Sequence, residues 1–267
     1  MPGAGSLPGR AAYEALRRRA EDDPFIVGFW LGGSRGKGRV TEHSDYDCVV
    51  ILADDAPAPL RADIREAAEP DVDLVLMTIA EFDRHAAWGS PEAWDRYSYV
   101  GLKALIDKTG RLQAMIDAKA CIPPAAVAEF IDASLDHLIN QVYRALKCLR
   151  DGDPVASQLE AAEGVKPFLD AVFALHGGRL RPYFKYLAQD LERAPLGLLG
   201  FTSDDLVQRL LDVLGRDAAL ALRGLMAEAQ PLFRAAGHHA VFDGWGDAMN
   251  FMLDWRPTVD AERGPSA

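Results

Sequence analysis

Cysteine is scarce in this chain of 267 residues. Cys48, Cys121 and Cys148 are odd in number, and no two share the CxxC spacing of a zinc or redox motif. They read as reduced, mostly buried thiols, which excludes a disulfide-stapled secreted scaffold and points to the cytoplasm. Long apolar runs are also missing. None approaches the roughly 18 residues of a membrane span, so no membrane partner is expected. Basic charge is in deficit, with 29 Lys and Arg against 40 Asp and Glu and a net charge of −11. A nucleic-acid-coating surface needs a basic patch or stripe, so nucleic acid is an unfavoured partner, whereas a cationic small molecule is compatible with the charge. The six histidines show no metal-ligand spacing; His238 and His239 are adjacent and cannot share a helix face. Residues 1–9, small and rich in Pro and Gly, lack the apolar core of a signal peptide and are expected to be disordered. There is no internal repeat and no low-complexity segment.

The stretch from Leu31 to Asp47 stands out against this ordinary background. An apolar run, Phe25 to Leu31, leads in, and another, Cys48 to Leu52, leads out. The pattern predicts two strands joined by a glycine-rich, cationic loop, the second strand being apolar on both faces and therefore central in a sheet. Asp45 and Asp47 stand at its mouth. Residues i and i+2 of a strand point to one side, so both carboxylates can grip one site. Two hard oxygen ligands suit Mg²⁺, which takes one or two protein carboxylates and leaves positions for phosphate oxygens. Gly32, Gly33, Gly36 and Gly38 let backbone N–H groups approach an anion, and Arg35, Lys37 and Arg39 add cations. Loop and carboxylates together describe a site for a metal-bound nucleoside triphosphate. It is not a P-loop, because Leu31 stands where the first glycine belongs and Gly38 where the hydroxyl belongs. Nor is it the dinucleotide fingerprint, because Thr41 replaces the last glycine.

Gly33-Ser34, ten residues, then Asp45-Tyr46-Asp47 and an apolar strand resembles the Gly-Ser…Asp-x-Asp signature of the DNA polymerase β superfamily of nucleotidyltransferases. The form Gly-Ser-Arg…Ser-Asp-Tyr-Asp is similar to bacterial members of the aminoglycoside and lincosamide type; glycines at 36 and 38 rather than 37 are a small departure. The resemblance implies an α+β fold, with an N-terminal polymerase β-like domain (a mixed sheet with flanking helices) and a C-terminal all-α bundle. It implies Asp45, Asp47 and Asp73 as catalytic and metal-holding carboxylates, Asp73 as metal ligand or general base, and Gly33, Ser34 and Arg35 as nucleotide-binding, with Lys37 a further cation for the pyrophosphate. Asp73 opens an apolar run, Asp71 to Met77, where the family carries its third carboxylate; Asp71 is the lesser candidate. The segment from Gly178 to Leu187 resembles an Arg-x-Pro-Tyr-x-Lys-Trp-Leu segment of similar enzymes, with Tyr186 for tryptophan, and implies that Lys185 reaches the triphosphate or closes the cleft. The activity implied is Mg²⁺-dependent transfer of a nucleoside monophosphate, AMP from ATP, to a hydroxyl of a small acceptor such as an aminoglycoside or lincosamide, with antibiotic resistance as a consequence. Nucleotidylation of a protein or tRNA is the alternative activity, and a non-catalytic nucleotide-binding or antitoxin-like module is the alternative class. No oligomeric state is implied.

Along the rest of the chain, helices are expected at 11–21 and 59–68, closed by Pro70. A further one, capped by Thr78, runs through Glu81 and Phe82. Trp88, Trp94, Tyr97 and Tyr99 either stack on a base or sugar or pack the sheet. A strand is expected over 100–106 and a helix over 111–120. Ile122-Pro123-Pro124 is the boundary of a domain spanning 10–121, since two prolines fix an extended link. Beyond it, apolar spacing of i, i+3, i+4 predicts long helices over 127–149 and 155–173. Others are expected over 206–214, behind a Thr202/Asp205 box, then over 217–236 and 242–253. This helical domain spans 122–256, with a loose tail at 257–267. Glu160 and Glu163 lie on one helical turn, either as a solvated face or as a seat for a cationic acceptor or extra base. His43 reads as a solvent-facing loop residue.

Overall fold

The computed structural model describes residues 9–67 and 72–257. Asp71, Pro70, residues 1–8 and the tail beyond 257 lie outside them. The chain forms two compact units that divide between Cys121 and Ile122.

The first unit opens with α1 (Arg10–Asp22), whose Ala12, Leu16 and Ala20 recur every fourth residue and form its buried stripe. Strand β1 (Ile26–Leu31) follows, then a single helical turn, α2 (Gly33–Gly36), and β2 (Tyr46–Leu52). Helix α3 (Ala58–Glu66) leads to β3 (Val72–Thr78), then α4 (Ile79–Arg84), a 3₁₀ helix over Pro91–Tyr99, β4 (Ile106–Asp107) and α5 (Leu112–Lys119). Among the described residues the sheet has four strands in the order β3-β2-β1-β4. The pair β1/β2 is antiparallel, as is β1/β4, while β2 and β3 run parallel. A parallel neighbour needs a crossover, and α3 supplies it. The sheet is therefore mixed with helices flanking it, as the resemblance implies, and β2 is central as its two apolar faces require.

Each face of the sheet has its own core. Tyr46, Cys48, Val50, Val72 and Leu76 pack under α1 and α3. Trp30, Ile51 and Met77 pack under Phe82 of α4 and Leu112 and Ile116 of α5. The second layer stops short of the start of β2 and β3: Ile51 and Met77 are buried, but Val49 is half-buried and Val75 is 42% exposed. The open end of that face is where the acidic residues lie.

Several boundaries differ from expectation. The strand over 100–106 contracts to Ile106–Asp107 because Gly101, at φ 78°, turns the chain out of the sheet first. The aromatic stretch continues, beyond the turn at 88–90, as a 3₁₀ helix over Pro91–Tyr99. Thr78 does cap α4, in a full box with Glu81.

The second unit is helical throughout its regular elements. Helix α6 (Val127–Arg150) and α7 (Pro154–Leu175) precede a 3₁₀ turn over Phe184–Tyr186 and α8 (Leu187–Arg193). Helices α9 (Ser203–Asp212) and α10 (Ala218–Ala235) follow. The single helix expected over 242–253 is two, α11 (His239–Asp243) and α12 (Gly246–Asp254), because Gly246 takes φ 47° at the break. No described helix is long and apolar enough to cross a membrane.

Candidate active site

The register of the parallel pair decides the position of the carboxylates. Asp47 of β2 is the Cα partner of Asp73 of β3, and Val49 and Ile51 are partners of Val75 and Met77. Residues in register on neighbouring strands project from the same face. Asp47 and Asp73 thus stand side by side at the uncovered end of the α4/α5 face, Asp47 half-buried and Asp73 exposed. Asp45 lies one residue ahead of β2 and is exposed. The sheet itself therefore pairs two carboxylates and leaves the third at its entrance. Among the described residues no three acidic, His or Cys side chains form a ready-made metal cluster. His43 is fully on the surface, beside Glu42.

The loop is fixed to β2 at its first corner. The Gly32 N–H donates to the Asp47 carbonyl at 2.7 Å. Gly33 adopts φ +51°, and a Cβ there would stand 1.8 Å from Asp47 Oδ2, so only glycine fits against that carboxylate. Ser34 Oγ donates to Ser44 Oγ at 2.8 Å, and Ser44 Oγ also accepts the Thr41 N–H at 2.9 Å. Arg35 donates through Nε to the Asp45 carbonyl at 2.7 Å and through Nη2 to the Ser44 carbonyl at 2.6 Å. Its guanidinium lies 3.9 Å from the centre of the Tyr46 ring, which stacks in turn on Tyr13 of α1. Gly33, Ser34 and Arg35 are thereby gathered around the segment that carries Asp45 and Asp47. Ser44 and Tyr46 are the residues that sequence reasoning passed over; both stand inside the Ser-Asp-Tyr-Asp motif, which was the available signal.

Residues 13–94 match the family model of the nucleotidyltransferase domain. The match covers just under a third of the chain and includes the loop, Asp45, Asp47 and Asp73. A nucleotidyltransferase domain supports a transferase and nucleotide transfer in general. No curated protein matches the chain. Among solved structures, a nucleotidyltransferase-like protein from Exiguobacterium sibiricum 255-15 is similar over 91% of this chain and 89% of its own, at 11% identity and a TM-score of 0.43.

Within the first unit, the loop cations differ in what they hold. Lys37 donates to the carbonyls of Tyr97 and Val100, at 2.9 and 2.7 Å, rather than standing open to an anion. Cys48, next to Asp47 but on the opposite face, is no nucleophile: burial, with Asp47 and Asp73 adding to it, pushes its thiol up to about 12. Of the four aromatics, Tyr97 and Tyr99 are buried, Trp88 lies beneath the Arg96 guanidinium, and Trp94 is 72% exposed. Packing thus accounts for the two tyrosines.

In the second unit, Lys185 is exposed in the 3₁₀ turn, its ammonium 4.9 Å from the Tyr186 ring centre. Nearby, Arg181 pairs with Asp170 at 2.7 Å, and burial still holds the Asp170 carboxyl above its ordinary range. Glu160 is in an ion pair with Arg144, whereas Glu163 is exposed.

Proposed function

We propose that the chain transfers a nucleoside monophosphate, AMP from ATP, to a hydroxyl of a small acceptor such as an aminoglycoside or lincosamide, releasing pyrophosphate. The observation that carries this reading is the in-register pair Asp47 and Asp73, with Gly33 closed onto the Asp47 carboxylate. The donor set fits Mg²⁺: two hard carboxylates from adjacent strands, with Asp45 at the entrance of β2, and room for phosphate oxygens as further ligands. When bound, the ion would neutralise charge on the attacking and leaving oxygens.

The chain's own residues supply positioning. The first turn of a helix leaves its N–H groups without intrahelical acceptors, so the amides at Gly33 and Ser34 and the Ser34 hydroxyl hold the terminal phosphates. Arg35, braced on Tyr46, meets the charge of the departing pyrophosphate. Asp73, the more exposed of the in-register pair, takes the proton from the acceptor hydroxyl as that oxygen attacks the α-phosphorus. The bond to the β-phosphate oxygen breaks in the same displacement. No covalent enzyme intermediate is required, because phosphoryl transfer depends mainly on positioning and charge. On the resemblance of its segment, Lys185 serves the triphosphate, and Lys185→Ala is expected to raise the KM for ATP more than it lowers kcat. The net charge of −11 favours a cationic acceptor over a nucleic acid.

The test is to incubate the protein with labelled ATP, Mg²⁺ and a panel of hydroxylated amines that includes aminoglycosides and lincosamides. Acceptor-dependent pyrophosphate release with a labelled, phosphodiester-linked product is expected. Tight ATP binding without release across the panel would replace the transferase with a nucleotide-binding module.

A further inference from the structure

We propose that Lys37 is a positioning residue: it bolts the glycine loop to the 97–102 segment and thereby presets the triphosphate seat, rather than touching phosphate. The inference rests on the nucleotide reading above and adds to it a determinant of loop geometry.

Lys37 is the residue that ends α2. Its ammonium donates to two backbone carbonyls about sixty residues away, Tyr97 at 2.9 Å and Val100 at 2.7 Å. It also lies 4.6 Å from the centre of the Tyr97 ring. Hydrogen bonds from a charged donor are among the stronger ones, and an ammonium over a ring adds to them. One residue earlier, Gly36 is pressed onto the same surface. A Cβ on it would meet the Leu31 carbonyl oxygen at 2.1 Å and the Leu102 side chain at 2.8 Å. Two consecutive residues of the loop are thus seated on one segment.

That segment is itself anchored by burial and hydrogen bonds. Tyr97 and Leu102 are almost wholly buried. Arg96, buried beside them, donates to the carbonyls of Ala86, Ala118 and Cys121 at 3.0, 2.6 and 2.7 Å. A run of fixed contacts therefore leads from the ends of α4 and α5, through Arg96 and the 3₁₀ helix, to Lys37. From there the loop closes on itself: the Gly36 N–H donates to the Gly32 carbonyl at 2.6 Å, and the Arg39 N–H to the Ser34 carbonyl at 2.7 Å. Removing the ammonium frees the trailing end of the turn whose leading end carries Gly33 and Ser34.

A phosphate ligand and a bolt differ in the protein without nucleotide. Hydrogen exchange is measured on the ligand-free full chain for wild type, Lys37→Met and Lys37→Arg, and Mg·ATP affinity by calorimetry on the same samples. For Lys37→Met, protection at the Gly36 and Arg39 amides should fall about tenfold or more, the scale of losing a hydrogen bond to a charged group. Protection in β1 and β2 should hold, and the Kd for Mg·ATP should rise by a similar factor. Lys37→Arg, which can still donate to both carbonyls, should recover most of both. Unchanged exchange in ligand-free Lys37→Met overturns the proposal, and so does loosened exchange with unchanged affinity. If wild type itself fails to bind Mg·ATP, the nucleotide reading falls, and exchange alone decides whether Lys37 holds the loop. Should Lys37→Met not fold, Lys37→Ala, which likewise has no donor, takes its place under the same criteria.

Discussion

Asp47 bears on the site in three ways at once. Its carboxylate abuts Gly33, its carbonyl accepts from Gly32, and its strand register brings Asp73 alongside. Asp47→Asn keeps the carbonyl and the shape while removing the charge. It is expected to abolish Mg²⁺-dependent transfer while leaving the melting temperature within a few degrees of wild type; turnover at the wild-type rate would refute the metal assignment. Gly33→Ala makes the complementary point. The left-handed backbone at φ +51° costs a side-chain-bearing residue about 1–3 kcal/mol, and the added methyl would displace the Asp47 carboxylate. We expect both a lower melting temperature and loss of ATP binding; an alanine variant that binds Mg·ATP normally would show that the close approach is dispensable. That Gly33, Ser34 and Arg35 gather on the segment carrying Asp45 and Asp47 was legible in residue type and spacing. The partnership of Lys37 with Tyr97 and Val100 was not, because a lysine that donates to distant backbone carbonyls looks in sequence like any loop cation.

At the level of elements, the strands flanking the loop were readable because β2 is apolar on both faces and only a central strand buries both. The stretch at 100–106 misled for a related reason. Its residues are apolar enough for a strand, yet Leu102 is the one fully buried among them and Leu105 is 50% exposed, and Gly101, at φ 78°, redirects the backbone before pairing begins. Capping chemistry was more reliable than hydrophobicity. Thr78 and Glu81 form their box reciprocally, at 3.2 and 2.8 Å, and Thr78→Ala should cost about 1 kcal/mol, the usual worth of an N-cap, measured by denaturant unfolding. In the second unit, His176 joins the end of α7 to the following loop. Its Nδ1–H donates to the Val172 carbonyl at 2.7 Å, and its Nε2 accepts the Leu198 N–H at 3.0 Å. Only the neutral ring can do both, and burial, the largest influence, lowers its pKa from 6.5. Because the folded value is the depressed one, this contribution is complete above about pH 6.5 and fades as pH falls through the lower folded value. Wild type should thus lose more stability between pH 7.5 and 5.5 than His176→Gln does; equal losses would contradict the assignment.

For the whole molecule, the resemblance implies a mixed-sheet part and the apolar spacing beyond the double proline at 123–124 predicts a helical part, and the structure has both. What composition does not carry is which sheet face stays open. That depends on where the α4/α5 layer ends, a matter of packing between residues far apart in sequence: Phe82, Leu112 and Ile116 bury Ile51 and Met77, cover Val49 only in part and leave Val75 42% exposed. The functional account rests on that uncovered end being a seat for metal and triphosphate. The most direct measurement is a crystal grown with a non-hydrolysable ATP analogue and Mn²⁺, examined for anomalous density. The account predicts a manganese peak bound by Asp47 and Asp73, with the analogue's terminal phosphates on the Gly33-Ser34 turn. A well-ordered analogue elsewhere, with no metal at those two carboxylates, would contradict it.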